Sequence, residues 1–496
     1  MKADALQVDP RDNVAVSLRH LEAGETVTVA GDPVRVATAI PTAHKFALRP
    51  IRRQEPVVRF GRTIGEAADD ILTGAWVHDH NTRATPSGPE HETHVPPAET
   101  VAAIEDGRTF LGYRRANGEV GIRNEIWIIP TVGCVNEIAQ MLARQLNARA
   151  LPGNISGVFA LPHPFGCSQL GDDHATTQRV LAALAQHPNA GGVLIVGLGC
   201  ENNSMASFRK LIPDAATPRY QFMVAQEAGD ELATGRRMLD ALVEYAAQFH
   251  RERIPVGALR IGVKCGASDG FSAITANPLV GAVSDGLIAR GGASVLTEVP
   301  ELFGGEDVFL GRCASPRVFD DARAMLGACR EYFSRHDRDV YALPSPGSSD
   351  GAATTVRERS LGCQQKAGQS PVVDILPYGG RIRRPGVSFL TGPGNDIVAV
   401  TALAAAGVHL VLFTTGRGTP LGGPIPTLKI ATNHAVAQRK PNWTDFDAGQ
   451  LVDGTRMADL ASALFEQVLE TAGGQPTRNE LNGFREIAIF KDGVTL

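Results

Sequence analysis

The sequence predicts an α/β protein in which a small all-β module precedes a larger α/β region with mainly parallel sheets. Three observations carry this. The first ~80 residues alternate in short apolar pieces between tight turns. From about Leu111, continuous apolar runs end in glycine turns and lead into Ala- and Leu-rich segments of helical length, the pattern of strands buried on both faces. The chain has 496 residues, 43% hydrophobic and 20% charged, which is globular and long enough for two or three domains.

The elements follow in order. Short strands are expected over 14–16, 26–29 and 34–36, punctuated by Gly24, Gly31-Asp32-Pro33 and Pro41. Residues 83–106, rich in Pro, Thr and Glu, read as an exposed linker. A strand over 126–129 runs into Thr131-Val132-Gly133-Cys134 and then a helix over 137–146. The run 192–196 ends in Gly197-Leu198-Gly199-Cys200, and 260–263 ends in Lys264-Cys265-Gly266. The charged stretch 236–253 reads as a helix leading to a boundary near Pro255. A strand over 387–390 meets a Gly-Pro-Gly-Asn turn, a helix over 397–406 and a strand over 408–413. The apolar run 397–413 is interrupted by Gly407 and His409, so helix plus buried strand explains it better than a membrane span. The division is a module at 1–82, a linker at 83–106, and α/β domains at 107–254 and 255–496.

A formal charge of −5 gives no attraction for phosphate backbones, so nucleic acid is a poor partner. Seven sparse cysteines cannot form a disulfide scaffold, and their odd number cannot all pair. The opening MKADALQVDPRDNVAV has no apolar signal core, so a cytoplasmic chain with no membrane partner is expected. With 53 Gly and 6% aromatics, the composition suits an enzyme with many tight strand-end turns.

Unusual residues gather just past strand ends, where open α/β sheets bind ligands. Cys134, Cys200 and Cys265 sit there, with Cys167 and Cys363 in glycine-flanked turns. They read either as buried apolar fillers or as ligands for a soft metal or iron–sulfur cluster, although no C-x-x-C spacing is present. His44 and the pair His78 and His80 form the better metal signal, since an H-x-H spacing on an extended segment puts both rings on one face. The alternative is a pair of solvated histidines. Asp172-Asp173-His174, Asp269, Glu298, Glu301 and Glu306 could supply oxygen ligands or a proton-abstracting base, or serve as turn residues. Asn395, in a turn before a helix, and Arg417, in the loop after the next strand, suit a carboxylate; Lys429 and Asn433 lie just beyond. Neither G-x-G-x-x-G nor a Walker lysine accompanies that turn, which disfavours a nucleotide site or a nicotinamide oxidoreductase.

These segments resemble the altronate/galactarate dehydratase family of sugar-acid hydro-lyases from about residue 10 to the end. The matching stretches include YRRANGEVGIRNEIWIIPTVGCVN, GCSQLGDDH, SDGFSAITANP, LTEVPELFGGE, SLGCQQKAG, PGNDIVAVTALAAAG and FTTGRGTPLGGPIPTLKIATN. HKFAL and the HxHN stretch resemble the β-clip (SAF) domain of that family, and HxHN leans toward its altronate branch. The resemblance implies a SAF-like module before a Rossmann-like α/β catalytic region.

It also implies metal-dependent loss of water from an aldonate or aldarate, giving a 2-keto-3-deoxy acid, by a homo-oligomer (a dimer) that acts on a small sugar acid. The catalytic assignment falls on His44, Lys45, His163, Asp172, Asp269 and Lys264. Arg123, Asn277, Asn395, Arg417 and Lys429 are assigned to substrate, and His44, His78, His80 and Glu298 to metal. Fe²⁺ is the first expectation for that metal and Mn²⁺ the second, with an iron–sulfur cluster through Cys134, Cys200, Cys265 and Cys363 as the alternative. Ala267 and Ala273 stand where the family pattern has glycines, which restricts positive φ and bears on substrate shape. A non-catalytic sugar-acid-binding protein is the reading outside the enzyme class.

Overall fold

The structure is a computed structural model that describes residues 3–84, 93–97, 101–341 and 352–495. In the N-terminal module, short alternating segments pair antiparallel. Ala5–Leu6, Val14–Ser17, Lys45–Ala47 and Trp76–Val77 form one sheet, and Pro56–Arg59, Arg62–Ala67 and Thr82–Arg83 another. Thr26–Val29 and Asp32–Arg35 form a separate hairpin. Its two-residue turn holds Ala30 and Gly31 at φ 51° and 99°, the doubly positive pair that matches strand twist. Val57, Ile64, Ile71 and Val77 build one of the module's two cores, and Leu361 from the C-terminal region packs into it.

The linker expected at 83–106 is not wholly exposed. Residues 85–92 and 98–100 lie outside the described residues. His94 bonds the Cys313 carbonyl through Nε2 at 2.8 Å and meets Phe319 edge-on, and the Ile104 amide donates to Ala289. A short polar segment thus gains partners that its composition does not announce.

The 236–253 stretch also departs from expectation. The helix is Glu231–Ala246, and Arg251–Pro255 is a strand antiparallel to Thr109–Arg114. Only Ile254 of that strand is buried, and Glu252 and Arg253 face out, so the segment mimics a helix surface. Between these elements lies a parallel sheet ordered Gly157–Ala160, Glu125–Pro130, Ala190–Gly197, Tyr220–Val224. Its two inner strands, Glu125–Pro130 and Ala190–Gly197, are buried along their whole length and almost wholly apolar.

The C-terminal sheet has seven parallel strands, ordered Val372–Leu376, Gly386–Leu390, Ala293–Leu296, Arg260–Gly266, Leu410–Thr415, Thr427–Ala431, Phe446–Asp447. The chain begins at Arg260–Gly266, builds outward on one side, and then crosses to the other. That reversal leaves a crevice beyond the carboxyl end of Arg260–Gly266. The helices Gly171–Ala185 and Asp396–Ala405 pack together in a core shared by the two parallel sheets. The last residues run back across this seam: Ala488 N donates to Thr401, and the amides of Asp492 and Gly493 donate to the Asp173 carboxylate at 2.9 and 2.7 Å. Among the described residues no helix is long and apolar enough to cross a membrane.

The module is fixed to the C-terminal region by a buried ion cluster. Glu358, on the helix Val356–Gln364, lies 3.0 Å from Lys45 Nζ and 2.7 Å from Arg59 Nη1. Burial alone would raise the Glu358 carboxyl, but Lys45 and Arg59 hold it down at about 2. Its contribution to stability is therefore complete above the ordinary glutamate range near 4.5 and is lost as pH falls toward 2. Glu358→Gln should lower stability by about 3–5 kcal/mol, because it strands two buried cations. It should also flatten the acid limb of a Tm–pH curve for the full chain. A parent-like Tm at neutral pH would refute this account.

Candidate active site

A cavity of about 490 Å³ opens at the crevice of the seven-stranded sheet. Each wall comes from a strand end. Cys265 and Gly266 end the central strand and Ala267 to Gly270 and Ser272 follow it, Glu298 and Glu301 follow Ala293–Leu296, Gly394 to Asp396 follow Gly386–Leu390, and Arg417 follows Leu410–Thr415. The helix Val356–Gln364 adds Glu358, Arg359 and Cys363, and the N-terminal module adds Arg59. Among the described residues no aromatic side chain lines the cavity. Two residues on its wall take left-handed backbone without being glycine, Ala267 at φ 50° and Glu298 at φ 76°. Strain of this kind, roughly 1–3 kcal/mol each, persists where surrounding structure imposes it.

Beneath the cavity sits a buried charge cluster. Glu298 is paired with Lys264 and, at 2.5 Å, with Lys366. Lys264 also lies 2.9 Å from Asp396 and donates to the carbonyls of Cys265 and Gly394. Lys366 Nζ lies 2.8 Å from Cys265 Sγ, and Cys363 Sγ lies 3.4 Å from Glu301. A hydrogen bond from Cys363 and the charge of Lys366 pull the Cys265 thiol below its ordinary value against the effect of burial. The same bond, with burial, pushes the Cys363 thiol up. Burial would raise the Glu298 carboxyl, but the two lysines hold it below the usual range.

The guanidinium groups are the cavity's least satisfied donors. Arg59 Nε and Nη2 and Arg359 Nη1 are buried with no hydrogen-bond partner among the described residues. Arg359 leans on Glu301 at 3.4 Å. Buried donors of this sort suit an acceptor such as water or an anionic ligand.

At the module's edge, His44, His78 and His80 come together. The ring centroids of His44 and His78 are 5.3 Å apart, and those of His78 and His80 6.4 Å. Trp76 Nε1 donates to His44 Nδ1 at 3.2 Å, which leaves Nε2 for another ligand. Burial first, then His78 and Lys45, lower the His44 imidazole to about 4, so it is neutral at pH 7. The segment differs from the expected strand: Trp76–Val77 ends the pairing, and the Asn81 amide closes a turn onto His78 O at 3.1 Å. A turn, not strand alternation, puts the two rings side by side. His78 Nδ1 meets Asp79 at 2.5 Å, and ligand atoms of His78, Asp79 and His80 lie within 4.8 Å of one another. Nitrogen and carboxylate donors so grouped fit a divalent transition metal.

Asp269, Asn277, Asn395 and Arg417 all line the cavity. Asp269 accepts from Ser272 N and Oγ, Thr432 Oγ1 and Asn433 Nδ2, so it braces the loop. Asn277 bridges Gly362 O and Thr414, and Asn395 caps the helix Asp396–Ala405. The expected glycine positions lie here too: Ala267 lines the wall, and Ala273 packs against Gly362.

Several expectations need correcting. Lys264 is no base: burial would lower it, but Glu298 and Asp396 outweigh burial and raise it, so it stays an ammonium. Lys45 is fully buried and committed to Glu358 and the Ala352 carbonyl. Glu298 is unsuited to metal because both its oxygens are paired with lysines. His163 is 2% exposed, with Nε2 on Pro130 O at 2.8 Å and Nδ1 accepting from Phe165 N, so neither nitrogen is available. Asp172 is an exposed residue in the first turn of Gly171–Ala185, away from the cavity. Arg123 is buried in a two-pronged bond to Glu480 at 2.7 and 2.9 Å and clamps the C-terminal helices. Lys429 donates to Leu421 O inside the sheet, and burial lowers it to about 8. The four cysteines proposed for one cluster divide: Cys265 and Cys363 are in the cavity, whereas Cys134 and Cys200 are exposed on the other sheet.

Sequence reasoning missed Arg59, Glu358, Arg359 and Lys366. They come from three separate short segments, and only the fold brings them to one place.

The comparisons with known proteins agree along the chain. Residues 3–85 match the altronate/galactarate dehydratase SAF domain. Residues 112–247 match the D-galactarate dehydratase/altronate hydrolase second domain, and 256–495 the D-galactarate/altronate dehydratase C-terminal domain. Altronate dehydratase of Escherichia coli is 46% identical over 492 residues, which is 99% of each chain. Altronate dehydratase of Bacillus subtilis is 45% identical over 493 residues, again 99% of each. Galactarate dehydratase (L-threo-forming) of Escherichia coli is 31% identical over 499 residues, covering 95% of this chain and 93% of that protein.

The Cys265–Lys366 contact makes a direct prediction. Lys366→Met should slow alkylation of Cys265 by iodoacetamide at neutral pH, because removing the ammonium takes away a charge that holds the thiol low. Peptide mass spectrometry separates Cys265 from the exposed cysteines. An unchanged rate would show that Lys366 does not set its reactivity.

Proposed function

The chain belongs to the altronate/galactarate dehydratase family, and from that premise we propose that it dehydrates D-altronate to 2-dehydro-3-deoxy-D-gluconate. The observation that carries the substrate class is the cavity itself. Charged and amide side chains line it, no aromatic wall closes it among the described residues, and Arg59, Arg359 and Arg417 all border it. A sugar acid supplies both a carboxylate for a guanidinium and hydroxyls for Asp396, Glu301 and Asn395. The altronate relatives stand at 45–46% identity and the galactarate relative at 31%, which favours the aldonate.

The C2 proton lies next to a carboxylate and is only weakly acidic. Binding that carboxylate to arginine withdraws charge from C2 and fixes its orientation. Cys265 and Asp396 are the groups of the cavity placed to hold the departing proton, and Lys264 and Lys366 beside them stabilise negative charge that develops there. The site is metal-dependent in this reading. His44, His78 and His80, with Asp79, would hold a divalent cation, Fe²⁺ before Mn²⁺, which supplies Lewis-acid help to a departing hydroxyl. We place the enzyme in the cytoplasm, as a homodimer.

Three measurements test this. Chelation should abolish turnover, and Fe²⁺ or Mn²⁺ should restore it; full activity after exhaustive chelation would end the metal reading. On a panel of aldonates and aldarates, D-altronate should turn over fastest; a faster galactarate reaction would move the assignment within the family. Arg417→Ala should lower kcat/KM by at least about tenfold with the fold intact, since a charge-assisted pair is worth roughly 1.5–3 kcal/mol. Arg417→Lys should recover it only in part, because an ammonium lacks the planar fork. Parent kinetics in the Ala variant would move the carboxylate to Arg359.

A further inference from the structure

The four-stranded parallel sheet has its own reversal point, and the proposed function leaves it unused. The chain enters at Glu125–Pro130, places Gly157–Ala160 on one side, and then Ala190–Gly197 on the other. Ligands of open α/β sheets bind beyond the strand ends at such a point. Here each of the three adjacent strands is followed by a Gly-Cys pair: Gly133-Cys134, Gly166-Cys167 and Gly199-Cys200. All three thiols are exposed, unlike the other four cysteines of the chain.

The three loops are tied to one another. Gly133 N donates to Phe165 O at 2.9 Å, and Asn203 N donates to Gly166 O at 3.1 Å. Asn203 Nδ2 reaches Thr131 O at 3.0 Å, and Ser168 N donates to Asn202 Oδ1 at 2.8 Å. Gly166, at φ 105°, lies so close to Thr131 that a Cβ would stand 2.0 Å from its carbonyl oxygen. The loops therefore converge by construction. Gln169, 3% exposed, fixes the middle loop by accepting from Gly166 N at 3.1 Å, while its Nε2 has no partner among the described residues. The helices Asn136–Asn147 and Gly171–Ala185 start two and four residues after Cys134 and Cys167, and helix starts favour a negatively charged ligand set. Glu201 does not oppose this, because its carboxylate is turned onto Leu198 N, Gly199 N and Thr131 Oγ1.

We propose that Cys134, Cys167 and Cys200 hold a [4Fe–4S] cluster at this sheet's reversal point, with the fourth iron left to a non-cysteine ligand. The ligand set favours a cluster over a single ion. A tetrahedral ion has to gather its thiolates at about 2.3 Å from one metal. Among the described residues the one triad of ligand atoms all within 4.8 Å of each other is His78, Asp79 and His80, so at least one pair of these three sulfurs stands further apart than that. In a cluster each thiolate takes its own iron, which suits three thiols on three separate loops. The site is distinct from Cys265 and Cys363, which lie in the cavity of the other sheet.

The test uses the full chain and does not read turnover, so its failure leaves the dehydratase assignment untouched. A synthetic [4Fe–4S] cluster carrying small-thiol ligands is offered without oxygen. Binding exchanges three small thiols, released with the protons of the three cysteines, and requires no oxidant or reductant. The parent chain should take up about four irons and four sulfides and turn brown. Cys134→Ser, Cys167→Ser and Cys200→Ser should each cut cluster content at least about fivefold, with far-UV circular dichroism and Tm held at parent values. Cys313→Ser, a buried cysteine elsewhere, should bind like the parent. Uptake that survives in the triple variant, absence of uptake by the parent, or binding of one zinc or iron without sulfide would overturn the proposal.

Discussion

Glu358 carries a charge to a place that water does not reach, and three parts of the molecule are arranged to tolerate it. Lys45 and Arg59 come from the N-terminal module and meet the carboxylate across the boundary between module and C-terminal region. Thr354 N and Thr355 Oγ1, just before the helix, fix the helix start on which Glu358 sits. A buried pair is no large net gain over an apolar contact, but half a pair is severely unfavourable. The module is thus held in one position, which is the position that brings Arg59 to the cavity. The same helix orients Arg359 and Cys363, and its end leads into Lys366. One carboxylate fixes the geometry of most cationic groups near the cavity.

The floor of the cavity repeats this logic with near-balanced charge. Lys264 and Lys366 face Glu298, Asp396 and the acidified thiol of Cys265. Such a set is fully paired before anything binds, so a ligand meets fixed dipoles and charges in place of mobile water. Preorganisation of this kind lowers the reorganisation needed when charge shifts during proton removal. The strained backbone of Ala267 and Glu298 borders the same floor.

The parallel strands were legible because burial on both faces leaves an unbroken apolar run, and their glycine-rich ends marked both crevices. Asn395 and Arg417 could be placed at one edge from the β-α-β connection alone. What sequence could not resolve was which polar residues at strand ends face the crevice and which face inward. His163, Arg123 and Lys429 read as chemistry, yet each meets a backbone or carboxylate partner within its own interior. Conversely the sequence does not single out Arg359 and Lys366, and the fold brings Arg359 to the cavity wall and Lys366 to the buried charge cluster beneath it. Arg251–Pro255 failed for the related reason that an edge strand with one core residue has no apolar period to detect.

The seam between the two parallel sheets sets a condition on how the molecule is made. Asp173 accepts the amides of Asp492 and Gly493, partners 319 and 320 residues further along. Arg485 likewise returns to Glu125, 360 residues back. During synthesis on a ribosome, the second domain emerges long before these partners exist. Its sheet can form, but that surface waits, exposed to solvent and to chaperones, until almost the whole chain has left the exit tunnel. The final segment therefore adds the last ties across a seam that the helices Gly171–Ala185 and Asp396–Ala405 have already brought together.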